Sequence, residues 1–289
     1  MILLLKSLQL FFRIIFYAPV NVSLSIMHGA GWLVQTVAKK TRLKKIVVGN
    51  IKMVLPQSQA GPIADKLIEN IAHAILELLC IPFFRPEHFD QVISWQGEQR
   101  LEAALKQGKG VIILTMHAGG YELIPMALAK RGYKINTVFR ATAEDSIFEI
   151  VNQSRQQGGV NLINILEEDM YKQTLKALAD NELVFLLADT GALESRHEYI
   201  SFLGKKVPAA TGWLTLAQRS GAVVIPTLAK KAGPKNTIIM FQPIEVTKDN
   251  REAIIQETGQ IFESYIEHNP EQWAIFINEF ETRRMTGNE

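Results

Sequence analysis

From Val111 onward, short apolar runs alternate with segments whose apolar residues recur at helical spacing. Val111-Ile112-Ile113-Leu114 reads as a buried strand. Residues 123–132 read as a short helix closed by Gly132. The alternation continues with strands over 134–140, 160–165 and 183–189, the last followed by the loop Thr190-Gly191-Ala192. Helices are predicted over 146–156, 171–179 and 211–219. Strands follow over 222–229 and 237–241, then a long polar-faced helix over 251–267. Strand and helix in turn predict an α/β fold, with a mostly parallel central sheet flanked by helices. Upstream, Leu67, Ile68, Ile71, Ala74, Ile75 and Leu78 mark a helix over 64–79 that stops near Pro82. A second amphipathic helix over 97–107 is ended by Gly108 and Gly110. There is no internal repeat and no low-complexity linker.

The N-terminal pattern is different. From Ile14 to Ala38 no Asp, Glu, Lys or Arg occurs. A run of roughly 20 apolar residues crosses a hydrocarbon core, but Pro19, Asn21, Ser23, Ser25, His28, Gly29, Gly31, Gln35 and Thr36 dilute this one. Lys39, Lys40, Arg42, Lys44 and Lys45 follow at once, a cluster that prefers the cytoplasmic side and anionic headgroups. Residues 1–45 are therefore expected to form a membrane anchor with a basic juxtamembrane segment. The anchor is read as a spanning helix or one lying in the interface; a buried helical hairpin is the competing reading. No compact apolar core ends in a small-residue site, which argues against a cleaved signal peptide.

Composition narrows the class. Hydrophobic residues make up 47% and charged residues 21% of the 289, so a large core is available and disorder is excluded. A net charge of +2 argues against nucleic-acid binding. The single cysteine, Cys80, excludes an internal disulfide framework and fits a reducing compartment. The chain has no Gly-x-Ser-x-Gly elbow, no His-Glu-x-x-His, no paired Cys-x-x-Cys and no Gly-rich phosphate loop. No metal site or cofactor is expected.

The candidate chemistry sits in Thr115-Met116-His117-Ala118-Gly119-Gly120-Tyr121-Glu122. His117 lies just past a strand end, where open α/β sheets build their sites. A neutral imidazole, with pKa about 6.5, can take a proton from a hydroxyl, and a carboxylate on its other nitrogen fixes the tautomer. Glu122 is five residues on, and Gly119-Gly120 allows the chain to fold one side chain back towards the other. The same spacing also fits a loop histidine with an unrelated glutamate in the first helical turn. Arg140 and Asp189 both sit at predicted strand ends; Asp189 could orient Arg140 or cap the next turn.

His-x4-Glu after an apolar strand resembles the glycerolipid and lysophospholipid acyltransferase signature. The fuller His117-Ala118-Gly119-Gly120-Tyr121-Glu122 is similar to the form in bacterial lipid A late acyltransferases, the lauroyl and myristoyl transferases. Several further blocks extend the likeness: the Asn-containing stretch 47–56, Arg140, Arg155 with Gly158, Leu187-Ala188-Asp189-Thr190-Gly191, residues 201–212, residues 222–226, and Pro270-Glu271-Gln272-Trp273. Thr190 stands where the family has glutamine, and Ala274-Ile275-Phe276-Ile277 replaces its usual His- and Trp-rich basic end.

The resemblance implies an acyltransferase catalytic domain over 46–289, held at the cytoplasmic side of the cell inner membrane. It implies transfer of a fatty acyl group from acyl carrier protein, or coenzyme A, to a hydroxyl of a lipid A precursor or related membrane glycolipid. In that reading His117 deprotonates the acceptor and Glu122 orients His117. Backbone amides near Gly119 and Gly120, or Arg140, would receive the oxyanion. Arg140, Arg155, Lys205 and Lys206 would hold phosphates of the lipid or of the carrier's prosthetic arm. Two alternatives remain: the same chemistry on a lysophospholipid or mannosyl lipid, and a catalytically idle lipid-carrier or assembly protein of the same fold.

Overall fold

The computed structural model describes residues 2–140, 146–189 and 197–285. Four helices come first: α1 (Ile2–Ile15), α2 (Val20–Ala38), α3 (Arg42–Val54) and α4 (Ala60–Cys80). Then follow α5 (Pro86–Val92), β1 (Ile93–Gln96), α6 (Glu98–Leu105), β2 (Val111–Thr115), α7 (Leu123–Lys130), β3 (Ile135–Phe139), α8 (Ser146–Gln157), β4 (Asn161–Asn164), α9 (Met170–Ala179) and β5 (Leu183–Leu187). The remainder is β6 (His197–Phe202), β7 (Lys205–Ala210), α10 (Gly212–Ser220), β8 (Val223–Ala232), β9 (Lys235–Met240), α11 (Arg251–His268), 3-10 turns at Pro270–Gln272 and Ala274–Ile277, and α12 (Glu279–Met285).

Among the described residues seven strands form one sheet, in the order β1-β9-β8-β2-β5-β3-β4. The run from β8 to β4 is parallel throughout. β9 turns back antiparallel on β8, and β1 lies parallel to β9. The mostly parallel sheet expected from the alternation is thus present, with a reversed edge. β2 is central and wholly buried. Its side chains alternate between two cores, as a strand covered on both faces requires. Ile112 and Leu114 join Val47, Ile51, Leu214, Ile266 and Trp273 on one side. Val111 and Ile113 join Leu101, Ile124, Leu128 and Met27 on the other.

Of the two forms expected for the N-terminal anchor, the spanning one finds no support: no helix among the described residues is long and apolar enough to cross a membrane. The uncharged run is cut by a turn ending at Pro19, which lacks the N–H needed to continue α1. α2 buries Ser23, Leu24, Met27, Gly31 and Gln35. It packs on α4 closely enough that a Cβ on Gly31 would strike the His73 ring. The opposite faces of α1 and α2 stay exposed: Leu10, Phe11, Ile14 and Tyr17 on or just beyond α1, and Trp32, Leu33, Val34 and Val37 on α2. The basic stretch after α2 is largely the start of α3, whose N-cap Thr41 accepts from the Leu43 amide.

β6 and β7 form an antiparallel hairpin outside the main sheet, turned at Leu203 (φ 49°) and Gly204 (φ 71°). Phe202 from this hairpin meets Trp273 edge-on, with ring centroids 6.0 Å apart.

Candidate active site

β2 and β5 are neighbours in parallel register, with Thr115 opposite Leu187. Two residues past each partner stand His117 and Asp189, on the C-terminal edge of the sheet. Asp189 Oδ1 accepts a hydrogen bond from His117 Nδ1–H at 2.8 Å. Asp189 Oδ2 accepts the His117 backbone N–H at 2.9 Å and the Trp273 indole N–H at 3.0 Å. Asp189 is 3% exposed, whereas the His117 side chain keeps 22% of its surface open. With Nδ1–H held by a carboxylate, Nε2 carries the lone pair, which is the tautomer of a general base.

Electrostatics follow from this contact. Burial works against a charged His117 imidazole, but the Asp189 carboxylate, with Glu122 and Glu281 further out, outweighs it and raises the pKa above 6.5. Burial likewise pushes the Asp189 carboxyl up, yet the His117 charge and the donated hydrogen bonds win, leaving its pKa below the usual carboxylate value.

Glu122 is therefore not the partner of His117. It is the N-cap residue of α7 in helical conformation, φ −65° and ψ −22°. Its carboxylate takes a two-point grip on Arg155 of α8, Nε to Oε2 at 2.9 Å and Nη2 to Oε1 at 2.5 Å. Arg155 also donates to Asn152 Oδ1 at 2.9 Å and is 7% exposed. A guanidinium so buried and so engaged is a tie between α7 and α8 rather than a free phosphate ligand. Between His117 and Glu122, the Tyr121 ring stands edge-on to the imidazole at 4.9 Å.

The glycine turn is set from behind. Gly119 has φ +56°, and a Cβ there would run into the Ala229 carbonyl; at Gly120 it would run into Asn236 Oδ1. The Gly119 amide donates to the Gln272 carbonyl at 2.8 Å, so it is occupied and unavailable to an oxyanion. Behind the turn lies a fully buried ion pair, Lys231 Nζ to Glu77 Oε1 at 2.5 Å, with Asn236 Nδ2 donating to Oε2 at 3.2 Å. The Gln272 side chain clips both main-chain groups of Lys231, each at 2.9 Å.

Arg140 lies exposed just past the end of β3, on the same sheet edge as His117. Lys205 is half-buried and Lys206 exposed at the start of β7, where Lys206 sits 5.1 Å over the Tyr199 ring. Thr190 and Gly191 lie outside the described residues. Among the described residues no cluster of three His, Cys, Asp or Glu could hold a metal ion.

Sequence reasoning missed two things: that Asp189 belongs to His117, and that Trp273 belongs to Asp189. The available signal for the first was position, since both residues end apolar strands. For the second it was the Pro-Glu-Gln-Trp block without a role.

Comparison with known proteins is consistent along the chain. A family model described as bacterial lipid A biosynthesis acyltransferase matches residues 5–282. A phosphatidylinositol mannoside acyltransferase of Mycobacterium tuberculosis is 24% identical over 228 residues, covering 77% of this chain and 71% of that protein. Lipid A biosynthesis acyltransferase 2 of Shigella flexneri is 21% identical over 266 residues, 90% and 83% of the two chains. The lipid A biosynthesis acyltransferase of Haemophilus influenzae is 20% identical over 251 residues, 86% and 78%.

Proposed function

The chain belongs to the bacterial lipid A biosynthesis acyltransferase family and is an acyltransferase, and on that premise we propose that it moves a fatty acyl group from a thioester to a glycolipid hydroxyl with His117 as general base. The observation that carries this reading is the His117–Asp189 pair, with Nδ1 held at 2.8 Å and part of the imidazole still exposed. Nε2 takes the proton of the acceptor hydroxyl as its oxygen attacks the thioester carbonyl. The carbonyl becomes a tetrahedral oxyanion, for which the Gly120 amide or Arg140 would serve as donor. Collapse restores the carbonyl, breaks the carbon–sulfur bond and expels the thiolate, which takes the proton back from His117. The ester and a free thiol leave, and the enzyme ends as it began. Asp189 orients the imidazole and stabilises its transient charge.

For the acceptor we favour a lipid A precursor or a related glycolipid such as a phosphatidylinositol mannoside, since relatives are named for lipid A biosynthesis and for phosphatidylinositol mannoside acylation. The donor would be acyl carrier protein or coenzyme A carrying the chain. We place the reaction at the cytoplasmic leaflet of the inner membrane. Support comes from the exposed Phe11, Ile14, Tyr17, Trp32 and Leu33, beside the exposed Lys40, Arg42 and Lys45. That combination suits an interfacial helix pair on anionic lipid.

The test is mass spectrometry of total lipids from cells expressing the chain, beside cells expressing His117→Ala. A glycolipid that gains one acyl chain only with His117 present supports the reading and names acceptor and chain length. If purified protein, given acyl carrier protein and coenzyme A thioesters with lipid A precursor, mannosyl lipid and lysophospholipid, acylates none of them, the idle carrier reading replaces it.

A further inference from the structure

We propose that Trp273 is a positioning residue of the His117–Asp189 pair: its indole N–H, together with the His117 backbone amide, saturates Asp189 Oδ2 so that Oδ1 alone faces the imidazole. The inference rests on the reading of His117 as the base, but its test does not need substrate. Trp273 is completely buried, wedged edge-on between Phe202 and Phe276 at centroid distances of 6.0 and 5.0 Å. An indole N–H can donate and cannot accept. At this position it can only favour the ionised carboxylate, and it offers the proton on His117 no route onward. A hydroxyl or imidazole in its place could reverse roles and leave the pair in more than one arrangement.

The segment around Trp273 is built to hold that contact. Ala274 N donates to the His117 carbonyl at 2.7 Å, and Gly119 N donates to the Gln272 carbonyl at 2.8 Å. Ala118 and Trp273 form an isolated antiparallel bridge between these bonds. From the other side, buried Asn50 and Asn70 donate to the carbonyls of Phe276 and Glu271 at 2.8 and 3.0 Å. Residues 270–277 thus form a strap across the strand end. The strap touches the base through its main chain and the carboxylate through one side chain. Simple core packing would need the ring alone and would not need its nitrogen aimed at the Asp189 oxygen that also accepts the His117 amide.

The experiment is titration of 15N-labelled histidines by NMR in the full chain, with His117 assigned by its loss in His117→Ala. Trp273→Phe keeps an aromatic ring and removes the N–H. Asp189, Glu122, Arg155, Tyr121 and Glu281, the charged and titratable groups around His117, remain. With one donor gone, the carboxylate charge is less neutralised and the imidazolium is held more firmly. We expect His117 to titrate higher by about half a pH unit or more, and the Nδ1–H resonance to move. Phe276→Leu, a packing change without a hydrogen bond, should leave the titration in place. A folded Trp273→Phe chain in which His117 titrates unchanged overturns the proposal, as does an equal shift in Phe276→Leu. If phenylalanine prevents folding, benzothienylalanine at position 273 supplies the same shape without the N–H and is read by the same two outcomes. Failure of the lipid assay above would leave these titrations unaffected, so the two readings fall separately.

Discussion

Replacing Glu122 and replacing Asp189 should harm the protein in opposite ways. In Glu122→Ala the Arg155 guanidinium, 7% exposed in the unaltered chain, keeps only Asn152 among the acceptors described for it. Stripping one partner from a buried ion pair costs about 3–5 kcal/mol, because the remaining charge is uncompensated. For a chain of this size each kcal/mol lowers Tm by roughly 2–4 °C, so a fall of roughly 6–20 °C is expected. Asp189→Asn changes little packing, but its amide would face Nδ1 as a donor and force the imidazole proton onto Nε2. The base is then in the wrong tautomer, a change that costs about four orders of magnitude in a triad of this kind. The assay pairs scanning fluorimetry with acyl transfer per folded molecule below the transition. Glu122→Leu with Arg155→Met should recover much of the lost stability, since a well-packed apolar pair can match a buried ion pair. If Glu122→Gln melts with the unaltered chain and loses as much turnover as Asp189→Asn, the division of roles drawn here is wrong.

Three further expectations follow from the same contacts. Because the His117 pKa is raised, kcat/KM should rise with pH through a value above 6.5, and Asp189→Asn should move that limb down; a limb below 6.5 in the unaltered chain would contradict the contact. His28 at the α2–α4 interface is pushed down to about 4, first by burial and then by His73 and Lys231. The unfolded chain binds that proton more readily, so stability to denaturant should fall as pH drops from about 6.5 towards 4, by on the order of 1–3 kcal/mol, and His28→Leu should flatten the slope. Lys231→Met, which leaves Glu77 buried without its cation, should lower stability by about 3–5 kcal/mol, measured by urea unfolding; a loss under about 1 kcal/mol would mean that the pair is not held as described.

Much of the scaffold could be read locally. Four apolar residues announced β2, and Gly132, with φ 90°, closes α7 where the pattern stopped. What could not be read was adjacency. That β2 and β5 are neighbours, in a register that carries Asp189 to His117, is decided by sheet pairing across 72 residues. Glu122 shows the reverse failure: closeness in sequence suggested a contact, but the helical conformation at the start of α7 turns its carboxylate to α8. The N-terminal run misled, as to a spanning helix, for a similar reason. Absence of charge measures how apolar a segment is, not whether Leu24, Met27 and Gly31 will find α4 to pack against. The hairpin over β6 and β7 escaped because its second strand carries Pro208 and both Lys205 and Lys206, and because it turns at Leu203 in a conformation unusual for leucine.

The strap over residues 270–277 also bears on how the protein comes into being. A chain grows from its N-terminus and its parts fold as they emerge. His117 and Asp189 are made early enough to meet on adjacent strands while Trp273 is still to be added. Until the strap arrives, the carboxylate lacks one of its donors and the glycine turn lacks the carbonyl that its Gly119 amide needs. Such a half-made chain would carry a loosely held base rather than a tuned one. Maturation of the site and closure of the fold are then a single late event, so a truncated chain should lose its reactivity before it loses its sheet.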